Sequence, residues 1–441
     1  MRRSLFLLLL LAATAQGATT IPPVAYRHRV LPNGLEVYSI QDRSNPTVAI
    51  QVWYRVGGKH DPERRSGFAH LFEHMMFKST KNMPSEFFDR ITEDIGGWNN
   101  ATTLNDVTPY YEVVPSNYLE TLLWAEADRM GTLDVNEANF KSERDVVKEE
   151  FRYRILAQPY GRLFLAMETD SFTKHPYRRP VIGSIEDLDA ATLDDVRSFY
   201  AAYYRPDNAV LIVSGDFEPQ QLDAWVDKYL GAVPKPAAAI PKIAGEEPPR
   251  TEEKRITEKA PNVPLPAVAF TWLAPPASHE DSVALSAVTT ILTEGDSSRL
   301  REKLVRGAIA QEVFASDDLR EDLGMFAVAA IMASDHDTAE AEKIIRGELA
   351  SLAEKPIPAA ELAKAKNLML TSELRNREDN NGKAFSLGEA VTLDHDANAV
   401  NTDLAKLQAL TAADVQRVVK KYLVDGKAVV INYVDEGAEK K

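Results

Sequence analysis

The chain repeats itself. Asp195-Val196 and Tyr203 recur as Asp414-Val415 and Tyr422, and Ala209-Val210-Leu211-Ile212 recurs as Ala428-Val429-Val430-Ile431, all at an offset of 219 residues without a gap. In each copy a helical period passes through a short turn into a β-branched apolar run. Near the start of the halves, Val48-Ala49-Ile50 is echoed by Val268-Ala269-Phe270 at an offset of 220. Convergent helix–strand patterning produces isolated matches. A nearly constant offset at both ends favours duplication, so the chain should fold as two units of one topology. Residues 232–255, with five prolines and a cluster of charges, read as a stiff, exposed connection between residues 18–231 and 256–441. Each half has the usual size of a domain. Strand-like runs occur at 35–40, 47–54, 110–114 and 209–213, with helical patterns near 66–78, 84–95, 116–130, 137–157 and 192–203. Clustered strands with helices in long excursions predict an α+β fold rather than a regular βαβ alternation.

The first residues set the compartment. Arg2 and Arg3 precede an unbroken apolar run over 5–13, followed by small residues at Ala13, Ala15, Gly17 and Ala18. This is the layout of a secretory signal peptide, with cleavage after Ala15 or Gly17. The run falls short of the ~20 residues of a membrane span. The chain is therefore expected to be exported to the periplasm without a stable membrane anchor. The formal charge of -15 argues against a broad nucleic-acid surface. The absence of cysteine excludes disulfides, thiol nucleophiles and Cys-ligated metals. Any metal must be held by His, Asp and Glu.

The chemistry concentrates in Gly67-Phe-Ala-His70-Leu-Phe-Glu73-His74. On a helix, His70 and His74 lie one turn apart on one face, where two neutral imidazoles can hold one ion. Glu73, on the same side, is a free carboxylate beside that ion. This is the HExxH arrangement reversed, H-x-x-E-H. Two imidazoles and a carboxylate among Phe68, Leu71, Phe72, Met75 and Phe77 need partners, and a metal supplies them. A third ligand should be a carboxylate. Over 137–157, a strongly helical stretch, Phe140, Val147 and Phe151 form the apolar stripe. Glu143 and Glu150, seven apart and so about 20° from each other, border it, while Glu149 falls on the solvent side. The wheel prefers Glu150 as the ligand and places Glu143 to orient a ligand. The other histidines, His28, His60, His175, His279, His336 and His395, lack ligand spacing and read as structural or surface residues.

These residues resemble the pitrilysin/insulinase family of zinc metallopeptidases, the inverzincins, in its short two-domain bacterial form, similar to the processing-peptidase type. The resemblance runs from Leu31-Pro-Asn-Gly-Leu35 and the H-x-x-E-H segment through Gly96-Gly97-Trp-Asn-Asn100-Ala101-Thr-Thr103, Glu143 to Glu150, His175-Pro-Tyr177 and Gly183, to Ser297-Ser298-Arg299-Leu300. It implies Zn2+ on His70, His74 and Glu150, with Glu73 as general base and Glu143 in support. It implies two duplicated α+β domains, each a mostly antiparallel sheet packed with helices. Substrate peptides would add as a strand beside Asn100 and Ala101. The function implied is a zinc-dependent endopeptidase acting on peptides or unfolded polypeptides. The alternative is a non-catalytic peptide-binding or scaffold subunit, which the four intact motif positions disfavour. A non-proteolytic zinc lyase would need a cysteine ligand. One departure stands out. Where family members carry an Arg and a Tyr that steady the substrate carbonyl, the comparable stretch here, 304–311, has Arg306 of unsettled correspondence and Gln311 in place of Tyr. An incomplete second half suggests a heterodimer with a related subunit lacking the zinc motif, or else a homodimer.

Overall fold

The computed structural model describes residues 21–243 and 245–437. The expected signal segment, 1–17, lies outside the described residues. Two sheets organise the rest. The first contains β1 (Arg27–Val30), β2 (Glu36–Gln41), β3 (Thr47–Tyr54), β4 (Trp98–Ala101), β5 (Thr108–Pro115) and β6 (Ala209–Gly215), in the order β1-β2-β6-β3-β5-β4. The second contains β7 (Lys254–Ala260), β8 (Ala267–Ala274), β9 (Ala310–Asp318), β10 (Gly324–Met332) and β11 (Val429–Asp435), in the order β7-β11-β8-β10-β9. In each sheet one pair is parallel, β2 with β6 and β7 with β11, and all other pairs are antiparallel. Without β1 the two orders are the same. The offset of 219 also carries the starts of helices Leu119–Thr132, Gly161–Asp170 and Leu193–Tyr203 onto those of Thr338–Glu354, Asn380–Thr392 and Ala412–Val418. The repeat legible in a few segments thus runs through the whole architecture, and the expected α+β, mostly antiparallel class holds.

The central strands read as continuous apolar runs because both faces of each sheet are covered. Val48, Ile50, Val52 and Tyr54 of β3, with Leu211 and Val213 of β6, pack on Phe68, Leu71, Phe72 and Met75. The alternate residues Trp53, Val210 and Ile212 point the other way. There they meet Ala384, Leu387 and Val391 of helix Asn380–Thr392, which comes from the second half of the chain. The favour is returned. Leu163, Ala166 and Met167 of helix Gly161–Asp170 cover Ala267, Ala269, Ala327, Ala329, Val429 and Ile431 of the second sheet. The two exchanged helices occupy equivalent places in the repeat. Contact is close at Gly388, where a Cβ would lie 2.3 Å from Cε2 of Trp53.

Charged groups fasten the halves as well. Lys59, 5% exposed, sets its ammonium 2.9 Å from Asp106 and 3.2 Å from Asp322, and also bonds Glu321. His175, expected to be a packing element, is buried; its Nδ1 accepts from the Tyr177 amide at 3.2 Å and its Nε2 lies 3.3 Å from Asp322. Between the halves, 231–253 carries neither helix nor strand among its described residues. It is strapped down rather than free. Arg205 bonds the carbonyls of Pro236 and Ala238, and Glu247 accepts from the amides of Thr173, Lys174 and His175.

Candidate metal centre

The motif helix is short, Phe68–Met75, and its start is built by a neighbour. Gly67 takes a left-handed φ of 92° that a side chain would strain. It has no capping side chain of its own. Asp61, 2% exposed, reaches in and accepts from the amides of Gly67 at 2.6 Å and Ala69 at 2.8 Å. With Phe68, Leu71, Phe72 and Met75 in the core, His70, Glu73 and His74 turn toward a cleft of about 940 Å³. Helix Glu137–Phe151 starts on Asn136, whose side chain accepts from the Asn139 amide. It buries Phe140, Val147 and Phe151 and brings Glu150 to the same cleft. Glu149 is exposed and pairs with Arg152.

Among the described residues, His70, His74 and Glu150 form a trio able to hold a metal, their ligand atoms within 4.8 Å of one another. Glu150 Oε2 lies 3.5 Å from His70 Nε2 and 3.4 Å from His74 Nε2. These separations exceed normal hydrogen-bond lengths. They match the edge of a zinc tetrahedron, roughly 3.3–3.4 Å for bonds of ~2.0–2.1 Å. Three converging donors of the right type, two of their three edges at that spacing and all within 4.8 Å of one another, fit a zinc ion. Glu143, 5% exposed, stands behind them: one oxygen is 3.6 Å from His74 Nδ1 and the other 2.8 Å from the Lys78 ammonium.

The electrostatics differ from residue to residue. Burial, aided by the charge on His74, pulls His70 down to about 4. Burial would lower His74 too, but the carboxylates of Glu143 and Glu150 override it and lift the imidazole to about 9. The His74 contact, against burial, holds Glu150 below the usual carboxylate range. Glu73 is half-buried in the cleft wall, and burial raises its carboxyl. Thr103 donates to Glu73 Oε2 at 2.5 Å. Asn100 and Ala101 sit on β4, the sheet's edge strand, and line the same cleft. All the residues lining it fall between 70 and 182. Arg306 pairs instead with Glu302 at 3.0 Å, and Gln311 is exposed on β9; neither lines the cleft. At 219 residues beyond His70, Glu73, His74 and Glu150 stand Thr289, Leu292, Thr293 and Met369, so the repeat carries its metal donors in one copy.

The family profile described as "Insulinase (Peptidase family M16)" matches residues 36–184, and the profile "Peptidase M16 inactive domain" matches 190–369. The chain belongs to the insulinase family of peptidases. Within this family, the Zinc protease PqqE of Helicobacter pylori is 30% identical over 432 residues, 96% of each chain. A crystal structure of a protease from Helicobacter pylori superposes with a TM-score of 0.90 at 29% identity, over 93% of this chain and 100% of that one. A probable mitochondrial-processing peptidase subunit beta of Arabidopsis thaliana is 25% identical over 90% of this chain and 76% of its own. The copy with the His70, His74 and Glu150 trio falls largely in the first profile, and the copy that lacks these residues largely in the second.

Three residues of the insulinase-family site had not been singled out from sequence. Thr103 meets Glu73 through space, 30 positions along the chain. Lys78 meets Glu143 from the turn that follows the motif helix. Arg154 forms an ion pair with Glu150 at 2.9 Å, and its i,i+4 spacing was a signal available in the sequence.

Proposed function

We propose that this chain is a zinc-dependent endopeptidase that hydrolyses peptides or unfolded polypeptides. The observation that carries the reading is the convergence of His70, His74 and Glu150 with the carboxylate of Glu73 in one cleft. When bound, zinc supplies Lewis acidity, which activates water near neutral pH and polarises a carbonyl. Glu73 takes the proton released as water attacks the peptide carbonyl and passes it to the leaving amine. The Thr103 hydroxyl fixes Oε2 and leaves Oε1 to do this, and burial keeps the carboxyl basic enough to accept. Glu143 steadies His74. A substrate strand adds to the outer edge of β4 beside Asn100 and Ala101, using main-chain hydrogen bonds that tolerate many sequences. Glu73→Gln should keep stoichiometric zinc and lower kcat by ~10²–10⁴-fold; cleavage at the parent rate would remove Glu73 from the mechanism.

We infer a heterodimer with a related subunit lacking the zinc motif. Supporting this, the cleft is lined from the first half alone, Gln311 stands where Tyr is expected, and the Arabidopsis relative is itself described as a subunit. Copurification from the native host checks it; a homodimer or an active monomer would refute it. The leader at 1–17 supports export to the periplasm, and no helix among the described residues is long and apolar enough to cross a membrane. Residues 18–231 and 256–441 form the two domains of the proposal, with 232–255 between them.

A second reading is a non-catalytic peptide-binding or scaffold subunit. It draws on the words "inactive domain" for the profile over 190–369. That half carries none of the metal donors, so the description leaves the cleft untouched. Zinc content together with chelator-sensitive cleavage of an unstructured peptide separates the two readings.

A further inference from the structure

Glu150 uses its two oxygens differently. Oε2 faces both histidines, at 3.5 and 3.4 Å. Oε1 lies 2.9 Å from Nε of Arg154, its one partner among the described residues. Arg154 sits on the π-helical turn Arg152–Leu156, which prolongs the ligand helix, and among the described residues it is the one arginine or lysine lining the cleft. Its side chain is 69% exposed. An ion pair so wet contributes little to stability. What the contact does supply is a bias: a guanidinium charge beside Oε1 and the two imidazoles beside Oε2 hold the carboxylate in one rotation about its last bond.

We propose that Arg154 is a positioning residue that keeps Glu150 a one-oxygen ligand. The inference rests on the zinc reading above. With Oε1 held, the ion takes three single-atom protein ligands and keeps a fourth position for water, as a catalytic site requires. With Oε1 released, the carboxylate can turn and offer both oxygens. That would raise the coordination number and crowd the position water needs.

The test uses the full chain reloaded with Co2+, whose visible absorption is strong in four-coordinate sites and several-fold weaker in five-coordinate ones. Arg154→Met is compared with Arg154→Lys and with Arg152→Met, a control whose arginine pairs with the outward Glu149. The parent and Arg152→Met should show the intense spectrum. Arg154→Met should lose half or more of that intensity and release zinc to a competing chelator about 10–100-fold more readily. Arg154→Lys should recover part of both. An Arg154→Met protein with the parent's spectrum and zinc affinity would overturn the inference, as would a parent with the weak five-coordinate spectrum. A parent that binds neither ion would overturn the zinc reading itself, a failure visible before any variant is made.

Discussion

Glu149 and Glu150 are adjacent, chemically alike and both at the cleft, yet they differ in burial and in partners. Glu150 is half-buried against two imidazoles, while Glu149 is exposed and bonded to Arg152. Glu150→Gln should therefore weaken zinc binding by more than about 100-fold, beyond the range of supporting residues. Glu149→Gln should leave it within about twofold. Metal analysis of the two purified variants decides the matter, and the opposite pattern would remove Glu150 from the site. This distinction was legible in sequence, because a helical wheel resolves neighbours 100° apart. The partners of these groups were not. Thr103 reaches Glu73 from just beyond β4, and Lys78 reaches Glu143 from the turn after the motif helix. A wheel describes one helix and is silent on what the chain folds beside it.

The motif helix is eight residues long, too short to be stable alone. It is held by its apolar face and by Asp61, which satisfies two buried amides at its start. Asp61→Ala would leave both without a partner. At about 1–3 kcal/mol for each buried unsatisfied donor, the variant should lose about 2–6 kcal/mol of stability, measured by denaturant unfolding. It should also bind zinc more weakly, because His70 follows Ala69 directly. Unchanged stability would mean that water replaces the carboxylate. Element existence was readable here and boundaries less so. The pattern near 66–78 contracts to Phe68–Met75, and the one at 137–157 ends in a π turn from Arg152. The short β4 had no strand pattern at all, since its four residues Trp-Asn-Asn-Ala lack alternation and draw their pairing from β5.

At the scale of the molecule, duplication was written in the offset, but the crossing of the helices was not. Amphipathic periodicity says that 161–170 and 380–392 each bury a face; it does not say against which sheet. The halves are also joined at Lys59, an ammonium with carboxylate partners from both. Lys59→Met would leave Asp106 buried without its counter-ion, at a cost of about 3–5 kcal/mol. A lower denaturation midpoint should come with faster hydrogen exchange in the turn at 318–322. Exchange at the parent rate there would show that the halves stay joined without this ammonium. The crossing has a further consequence, for biogenesis. The first sheet has all its strands once residue 215 is made, yet Trp53, Val210 and Ile212 stay uncovered until residue 392 follows. At ~5–20 residues per second, that wait is roughly 10–35 s. For this interval the nascent chain displays an apolar sheet face that a chaperone can hold, so final closure must await nearly complete synthesis.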